Sequence, residues 1–367
     1  MKLIVTGGGT GGHIYPAIAI ADKFKEKDPK TEVIYVGNKG GIEKDVVPQT
    51  GYDIMFVDAK GLEVPGAAEK MKAGARIGKG IVQSLSIIKR FKPDAIVGTG
   101  GYTCVPIIIA GKMLGVPCYI HEQNAFPGKA NKLLENFVNK VFLGFAEGNV
   151  YFKKQEKTVF TGNPVRKKFF DIDKTQARRK LGLNENDFIV FSFGGSLGAE
   201  KINQVAIDLI DAFIGHQGVT FILGTGRDYY DGAMRIVKEK YGAVSDNIII
   251  KDYIDNIEYY LAACDLVISR SGALSLAETT VCGKASILIP SPNVAGNHQF
   301  FNAKTVADKG GAVLIEEKDL TGERMVKEVL KIKNNPQILR NMEIASKNCA
   351  PHNTLEIIYD TIRSDMM

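Results

Sequence analysis

The stretch Lys2-Leu3-Ile4-Val5-Thr6-Gly7-Gly8-Gly9-Thr10-Gly11-Gly12-His13-Ile14 decides how this chain is read. Its short apolar run breaks into a glycine cluster, and residues 14–24 then carry apolar side chains at helical spacing, which predicts strand, glycine loop and helix. Gly7, Gly9 and Gly12 fit the GxGxxG pattern, in which missing side chains let backbone N–H groups approach a phosphate at a helix start. A dinucleotide site would also need an acidic residue ending the second strand, and Val36-Gly37-Asn38 has none. A nucleotide-triphosphate loop fails too: Gly74-Ala75-Arg76-Ile77-Gly78-Lys79-Gly80 lacks the spacing and the Ser or Thr that would hold magnesium.

Working outward, further buried strands are predicted at residues 33–36, 95–97, 118–120 and 141–143, separated by helix-length segments. The second half repeats the plan: residues 188–193 run into Gly194-Gly195-Ser196-Leu197-Gly198-Ala199, with later strands at 220–223, 248–250, 266–269 and 287–289. The fold class is therefore α/β, two Rossmann-like domains with parallel sheets, assigned to residues 1–162 and 163–345. Thr161-Gly162-Asn163-Pro164-Val165 serves as linker before a charged segment, 166–180. In residues 346–367 a terminal helix, with Leu355, Ile358, Tyr359 and Ile362 on one face, returns to the first domain. Ligands of open parallel sheets sit outside the carboxyl ends of the strands, so a cleft with one substrate on each domain is expected.

Composition narrows the partners. The chain has 367 residues, 45% of them hydrophobic, enough for two cores, and a net charge of +6 that suits an anionic ligand or membrane. With no aromatic-interleaved basic motif and no zinc-finger spacing, a nucleic-acid partner is not expected. Cys104, Cys118, Cys264, Cys282 and Cys349 are odd in number and scattered, which argues against disulfides and zinc and for a reducing cytoplasm. Glycines interrupt the start before a signal peptide could form, and no apolar run reaches the roughly 18 residues of a membrane span, so any membrane contact is from one face.

Polar residues cluster where the strands end. Gly98-Thr99-Gly100-Gly101-Tyr102 is a second glycine loop in the first half; with Gly8 and Gly9, Gly100 and Gly101 double its anion-binding backbone and suggest a ligand carrying a diphosphate. His13 opens the helix after the first loop, where a neutral imidazole can accept a proton from a sugar hydroxyl; a residue that only caps or packs is the plain alternative. His121-Glu122-Gln123-Asn124 reads as a set of cleft-lining side chains, unless Glu122 simply forms a salt bridge. In the second half, Ser269-Arg270-Ser271-Gly272-Ala273-Leu274-Ser275-Leu276-Ala277-Glu278 joins strand to helix through a Ser/Gly turn; it offers N–H groups to phosphate, and Glu278 is suited to a ribose diol. Asp171-Ile172-Asp173 looks like a manganese-binding DxD sequence but lies in the charged segment, so a solvated face or a helix start is expected there.

Taken together, Gly8-Gly9-Thr10-Gly11-Gly12-His13, His121-Glu122-Gln123-Asn124, Gly162-Asn163-Pro164-Val165-Arg166, Gly194-Gly195-Ser196-Leu197-Gly198-Ala199 and residues 269–278 strongly resemble the MurG family of glycosyltransferase family 28. The resemblance spans nearly the whole chain. It implies the GT-B architecture and an inverting transfer of N-acetylglucosamine from UDP-N-acetylglucosamine to the C4 hydroxyl of undecaprenyl-diphospho-N-acetylmuramoyl-pentapeptide. That step belongs to peptidoglycan synthesis at the cytoplasmic face of the membrane, and needs no cofactor and no metal. Carried over by motif, Thr10, Gly11 and Gly12 touch the donor, Asn124 positions the sugars, and Arg166 and Ser196 bind nucleotide or diphosphate. Ile254 meets uracil through its backbone, Ala273, Leu274, Ser275, Leu276 and Ala277 pass along the phosphates, Glu278 binds ribose, and Gln299 binds the sugar hydroxyls. The family often shows two glutamines where this chain reads Asn297-His298-Gln299, which leaves the role of His298 open.

The reaction needs a base, for which His13 is the first choice and Glu122 the second; the departing diphosphate needs positive potential from helix N-termini and Arg166. Rival readings are a diacylglycerol glycosyltransferase, a UDP-N-acetylglucosamine 2-epimerase and a non-catalytic sugar-nucleotide-binding subunit. Other cell-wall synthesis enzymes are left open as partners. Residues 70–82, extended by Leu85, Ile88, Lys89, Arg90 and Lys92, interleave basic and apolar side chains; this suits an anionic membrane surface or an ordinary amphipathic helix packed on the sheet.

Overall fold

Lys2–Thr6 form β1 and Gly11–Lys27 form α1, joined by the first glycine loop. The structure, a computed structural model, describes residues 1–59, 66–195, 197–242, 244–351 and 353–366. The chain divides into two compact units, Met1–Pro164 with Asn353–Met367, and Val165–His352.

In the first unit α1 is followed by β2 (Glu32–Gly37), α2 (Glu43–Gln49), β3 (Asp53–Phe56), α3 (Ala67–Phe91), β4 (Ala95–Gly98) and α4 (Cys104–Met113). Then come β5 (Cys118–Glu122), α5 (Lys129–Leu134), β6 (Lys140–Leu143) and β7 (Thr158–Phe160). The strands pair in parallel in the order β3-β2-β1-β4-β5-β6-β7. Leu3 and Val5 point into one core with Ile14, Ile18 and Phe24 of α1, while Ile4 points into the opposite one with Ile107 and Ile108 of α4. Both faces are covered, which is why the strands read as nearly unbroken apolar runs.

The second unit holds α6 (Lys174–Leu181), β8 (Phe188–Phe193), α7 (Glu200–Phe213), β9 (Val219–Gly224), α8 (Arg227–Tyr241), β10 (Ile248–Lys251) and α9 (Ile257–Ala263). It continues with β11 (Leu266–Ser269), α10 (Ala273–Val281), β12 (Ala285–Leu288), α11 (His298–Asp308), β13 (Ala312–Leu314), α12 (Gly322–Lys333) and α13 (Pro336–Asn348). Its parallel order is β10-β9-β8-β11-β12-β13, again with a core on each face.

The last helix, α14 (Thr354–Ser364), belongs to the first unit: Ile358 and Ile362 enter its core, Lys23 Nζ meets Glu356 at 2.6 Å, and the Thr354 hydroxyl donates to the Thr161 carbonyl at 2.7 Å. The second unit closes with α13, which packs on β12 and α10, and the first unit resumes at Asn353. Three strands not anticipated from the sequence, β3, β7 and β13, are three or four residues long and lie at sheet edges, where little apolar sequence is needed.

Register brings the glycine loops together. Thr6 pairs with Gly98 between β1 and β4, and Phe193 with Ser269 between β8 and β11, so in each sheet the strand order reverses between two neighbouring loop-bearing strands. In open α/β sheets this is where ligands bind.

Candidate active site

In the first unit the two glycine loops touch backbone to backbone. Gly8 N–H donates to the Gly100 carbonyl at 3.3 Å, and a Cβ on Gly101, whose φ is +79°, would lie 2.4 Å from the Gly8 oxygen. Only glycine allows this approach. His13 is placed by the same contacts. Its Nδ1 lies 2.8 Å from the Gly8 carbonyl, which can only accept, so Nδ1 carries the hydrogen and Nε2 the lone pair when the ring is neutral. The ring edge lies against Gly100, where a Cβ would stand 2.8 Å from Cδ2 and 3.0 Å from Nε2. The Thr99 hydroxyl braces the His13 carbonyl at 2.6 Å.

Several of the loop N–H groups have partners within the first unit. Gly8 N–H donates to the Gly100 carbonyl, Gly9 N–H to Glu43 Oε2 at 3.2 Å, and Gly100 N–H to Cys104 Sγ at 3.3 Å. The thiol that receives Gly100 is pushed up to about 12 by burial. The donors left are those of Thr10, Gly11, Gly12 and Gly101; the α1 N-terminus, with no acid in its first turn, leaves its first N–H groups without helical partners.

His121, Glu122 and Gln123 are buried rather than lining an open face. His121 Nε2–H donates to the Gly162 carbonyl at 2.9 Å, and burial lowers its pKa to about 4, so it stays neutral. Glu122 accepts from the backbone N–H groups of Asn124 (2.9 Å) and Gly128 (3.0 Å) and from the side-chain amides of Asn124 (3.1 Å) and Asn131 (2.8 Å). Both of its oxygens take part in shaping the loop after β5. Gln123 Nε2 donates to the Thr99 carbonyl at 2.6 Å, and Asn163 Nδ2 to the Gln123 carbonyl at 3.0 Å, so this motif and the Gly162-Asn163-Pro164 segment act as the scaffold behind the glycine loops.

In the second unit the loops after β8 and β9 meet, and the loop after β11 meets the start of α11. A Cβ on Gly198 would stand 2.1 Å from the Thr225 carbonyl, and one on Gly224 2.7 Å from Ile254 Cγ1, so the Ile254 side chain is folded down over the end of β9. Ser196 lies outside the described residues. The Ser271 hydroxyl donates to the Gln299 carbonyl at 2.8 Å, and Ser291 N–H to Gln299 Oε1 at 2.9 Å, which orients the Gln299 carboxamide. His298 is half-buried, with Nδ1 2.8 Å from the Ala295 carbonyl.

The α10 start has no acid in its first turn, and Glu278 lies on its second turn. Leu276 is 1% exposed and its N–H donates to the Gly272 carbonyl at 2.9 Å; Ala273 is also buried, while Leu274, Ser275 and Ala277 are half-buried. Glu278 is 6% exposed with Arg166 Nη2 3.3 Å from its Oε1. Burial pushes its carboxyl up to about 7 against the opposing pull of Arg166. Arg166 also lies over the Phe169 ring, 5.2 Å from its centroid.

Asp173 is a helix cap: its Oδ1 accepts Gln176 N–H at 2.9 Å at the start of α6. Among the described residues no group of three or more His, Cys, Asp or Glu is placed to hold a metal ion. The residue that sequence reading missed is Glu43, buried beneath the first glycine loop; the only local signal was the Gly37, Gly40 and Gly41 cluster before it.

Residues 3–143 match the glycosyltransferase family 28 N-terminal domain and residues 189–355 the family 28 C-terminal domain. A Desulforudis audaxviator protein named as a UDP-N-acetylglucosamine–N-acetylmuramyl-(pentapeptide) pyrophosphoryl-undecaprenol N-acetylglucosamine transferase is 40% identical, with 99% of this chain and 98% of that protein covered. Among solved structures, Acinetobacter baumannii MurG superposes with a TM-score of 0.78 at 24% identity over 99% of both chains. The UDP-N-acetylglucosamine 2-epimerase of Neisseria meningitidis superposes with a TM-score of 0.72 at 12% identity over 99% of this chain and 100% of that one. The two structural likenesses carry the fold alone, which is GT-B. With both domain models matched in order and a relative 40% identical over almost the full length, the chain belongs to glycosyltransferase family 28.

Proposed function

We propose that this protein transfers N-acetylglucosamine, with inversion, from UDP-N-acetylglucosamine to the C4 hydroxyl of undecaprenyl-diphospho-N-acetylmuramoyl-pentapeptide. The observation that carries the reading is the 40% identity, over 99% of the chain, to a transferase named for this reaction. The site chemistry fits it. The acceptor oxygen forms a bond to the anomeric carbon as the bond from that carbon to the β-phosphate oxygen breaks; UDP leaves with the electron pair, and the hydroxyl proton passes to His13 Nε2. The lone pair at Nε2, set by the Nδ1 bond to Gly8, supports His13 as that base. On the second unit Glu278 accepts from the ribose hydroxyls, Arg166 and the α10 N-terminus stabilise the diphosphate, and the oriented Gln299 carboxamide meets the sugar hydroxyls.

The lipid acceptor requires a peripheral approach to the cytoplasmic face of the membrane, and α3 is the surface proposed for it. No described helix is long and apolar enough to cross a membrane. Ile77, Ile81, Leu85 and Ile88 of α3 pack into the core instead of facing outward, which leaves exposed Met71 and Val82 among Lys72, Arg76 and Lys79. The anionic-surface role thus rests on the basic side chains, each worth about 1 kcal/mol near an acidic leaflet.

The test is incubation with labelled UDP-N-acetylglucosamine and the muramoyl-pentapeptide lipid. Label in a disaccharide lipid is expected. Conversion of the nucleotide sugar without lipid would replace the proposal with the epimerase reading, and label on diacylglycerol alone with the other lipid transferase.

A further inference from the structure

We propose that Glu43 is a positioning residue that acts on His13 through the Gly8–Gly9 peptide group. The Gly8 carbonyl and the Gly9 N–H belong to one planar, resonance-coupled unit. Its oxygen receives Nδ1–H of His13 at 2.8 Å, and its N–H donates to Glu43 Oε2 at 3.2 Å. A carboxylate, a peptide and an imidazole therefore stand in one hydrogen-bonded line. Drawing on the N–H shifts electron density to the carbonyl oxygen, which strengthens the bond to Nδ1–H, as linked hydrogen bonds do at low dielectric. In serine hydrolases a carboxylate bonded directly to the imidazole fixes its tautomer and stabilises the imidazolium; here a peptide group stands between the two.

The surroundings are built for that carboxylate. Glu43 is 0% exposed, and its other oxygen accepts Asn38 N–H at 3.0 Å, so both oxygens act as acceptors of backbone N–H groups. Among the described residues no Lys or Arg forms an ion pair with it. Three glycines make its room: a Cβ on Gly37 would stand 2.8 Å from Glu43 Cγ, one on Gly41 2.1 Å from Oε2, and one on Gly8 2.7 Å from Oε1. A buried carboxylate beneath an anion-binding loop would weaken phosphate binding there, so its presence needs another use, and orienting the base supplies one.

The inference rests on His13 being the base, and the experiment separates the two. Glu43→Gln keeps the shape and an acceptor oxygen but removes the charge. Its kcat is expected to fall roughly 10- to 100-fold, part of the 10²- to 10⁴-fold worth of a general base, with KM for UDP-N-acetylglucosamine unchanged. The ¹⁵N shifts of the His13 ring should move from the Nδ1–H tautomer toward a mixture. The His13→Ala/Glu43→Gln double variant should be no slower than His13→Ala alone. If Glu43→Gln does not fold, Glu43→Asp, which withdraws the carboxylate by one methylene, must show the same kcat loss and tautomer shift. Wild-type kcat and tautomer in the folded variant, or a double variant slowed by the full product of the single effects, would overturn the role of Glu43. Near-normal kcat in His13→Ala would instead overturn His13 as the base.

Discussion

Lowering the pH from 8 to 6 should weaken binding of UDP-N-acetylglucosamine about tenfold through Glu278. Burial beside Arg166 pushes this carboxyl up to about 7, and it can grip a ribose diol with two acceptor oxygens only when ionised. With a pKa near 7 the ionised fraction falls from roughly nine-tenths at pH 8 to roughly one-tenth at pH 6, a change of about 1.4 kcal/mol in binding. The ligand's diphosphate is a diester that stays ionised throughout this range, so its own titration does not contribute. Calorimetry in buffers of different ionisation enthalpy should show close to one proton released per ligand bound at pH 6 and almost none at pH 8. Glu278→Gln should bind about 1.5 to 3 kcal/mol more weakly at pH 8, the worth of a charge-assisted hydrogen bond, with a flatter pH profile. Equal affinity at both pH values in the wild type, or wild-type affinity in Glu278→Gln, would refute the ribose assignment. The same group sets a sign for stability. Between its ordinary 4.5 and about 7 the folded protein holds a proton that the unfolded chain has released, so its contribution to stability declines as pH rises through that window.

Turnover should survive EDTA, since helix N-termini and Arg166 can carry the leaving-group charge; complete loss restored by manganese would revive Asp171 and Asp173 as ligands. Gly101→Ala should destabilise the first unit by roughly 1 to 3 kcal/mol, because φ is +79° and the added carbon meets the Gly8 oxygen at 2.4 Å; an unchanged melting temperature would contradict the loop-on-loop packing. Changing Lys72, Arg76 and Lys79 together to glutamate should abolish sedimentation with anionic vesicles and slow turnover of long-chain acceptor while UDP binding holds. Unchanged vesicle binding would remove α3 as the membrane surface.

Local sequence was enough for the parts of this fold that repeat. A strand buried on both faces is apolar at most positions, so residues 188–193 and 266–269 were legible to the residue; the edge strands β3, β7 and β13 were not, because pairing on one side leaves composition free. The glycine loops announced themselves because only glycine permits their φ values and close backbone approach. His13 and Glu278 could be named as candidates from their places after a loop and along a helix.

What the residues in those places do was decided by tertiary structure. His121-Glu122-Gln123 is polar enough to line an open site, yet it is buried, because β5 lies inside the sheet and the 162–164 segment folds over its end. Lys and apolar residues alternate along α3 whether its apolar side meets lipid or the sheet, and packing against α4 settles the matter for Ile77, Ile81 and Leu85. Glu43 reads as an ordinary helix-start glutamate. Only the parallel register of β1 with β2, Thr6 opposite Val36, carries it under Gly9 and into line with His13. The periodicity that specifies elements acts over a few neighbouring residues, whereas the contacts that set protonation and orientation join residues whose strands are brought side by side by the sheet.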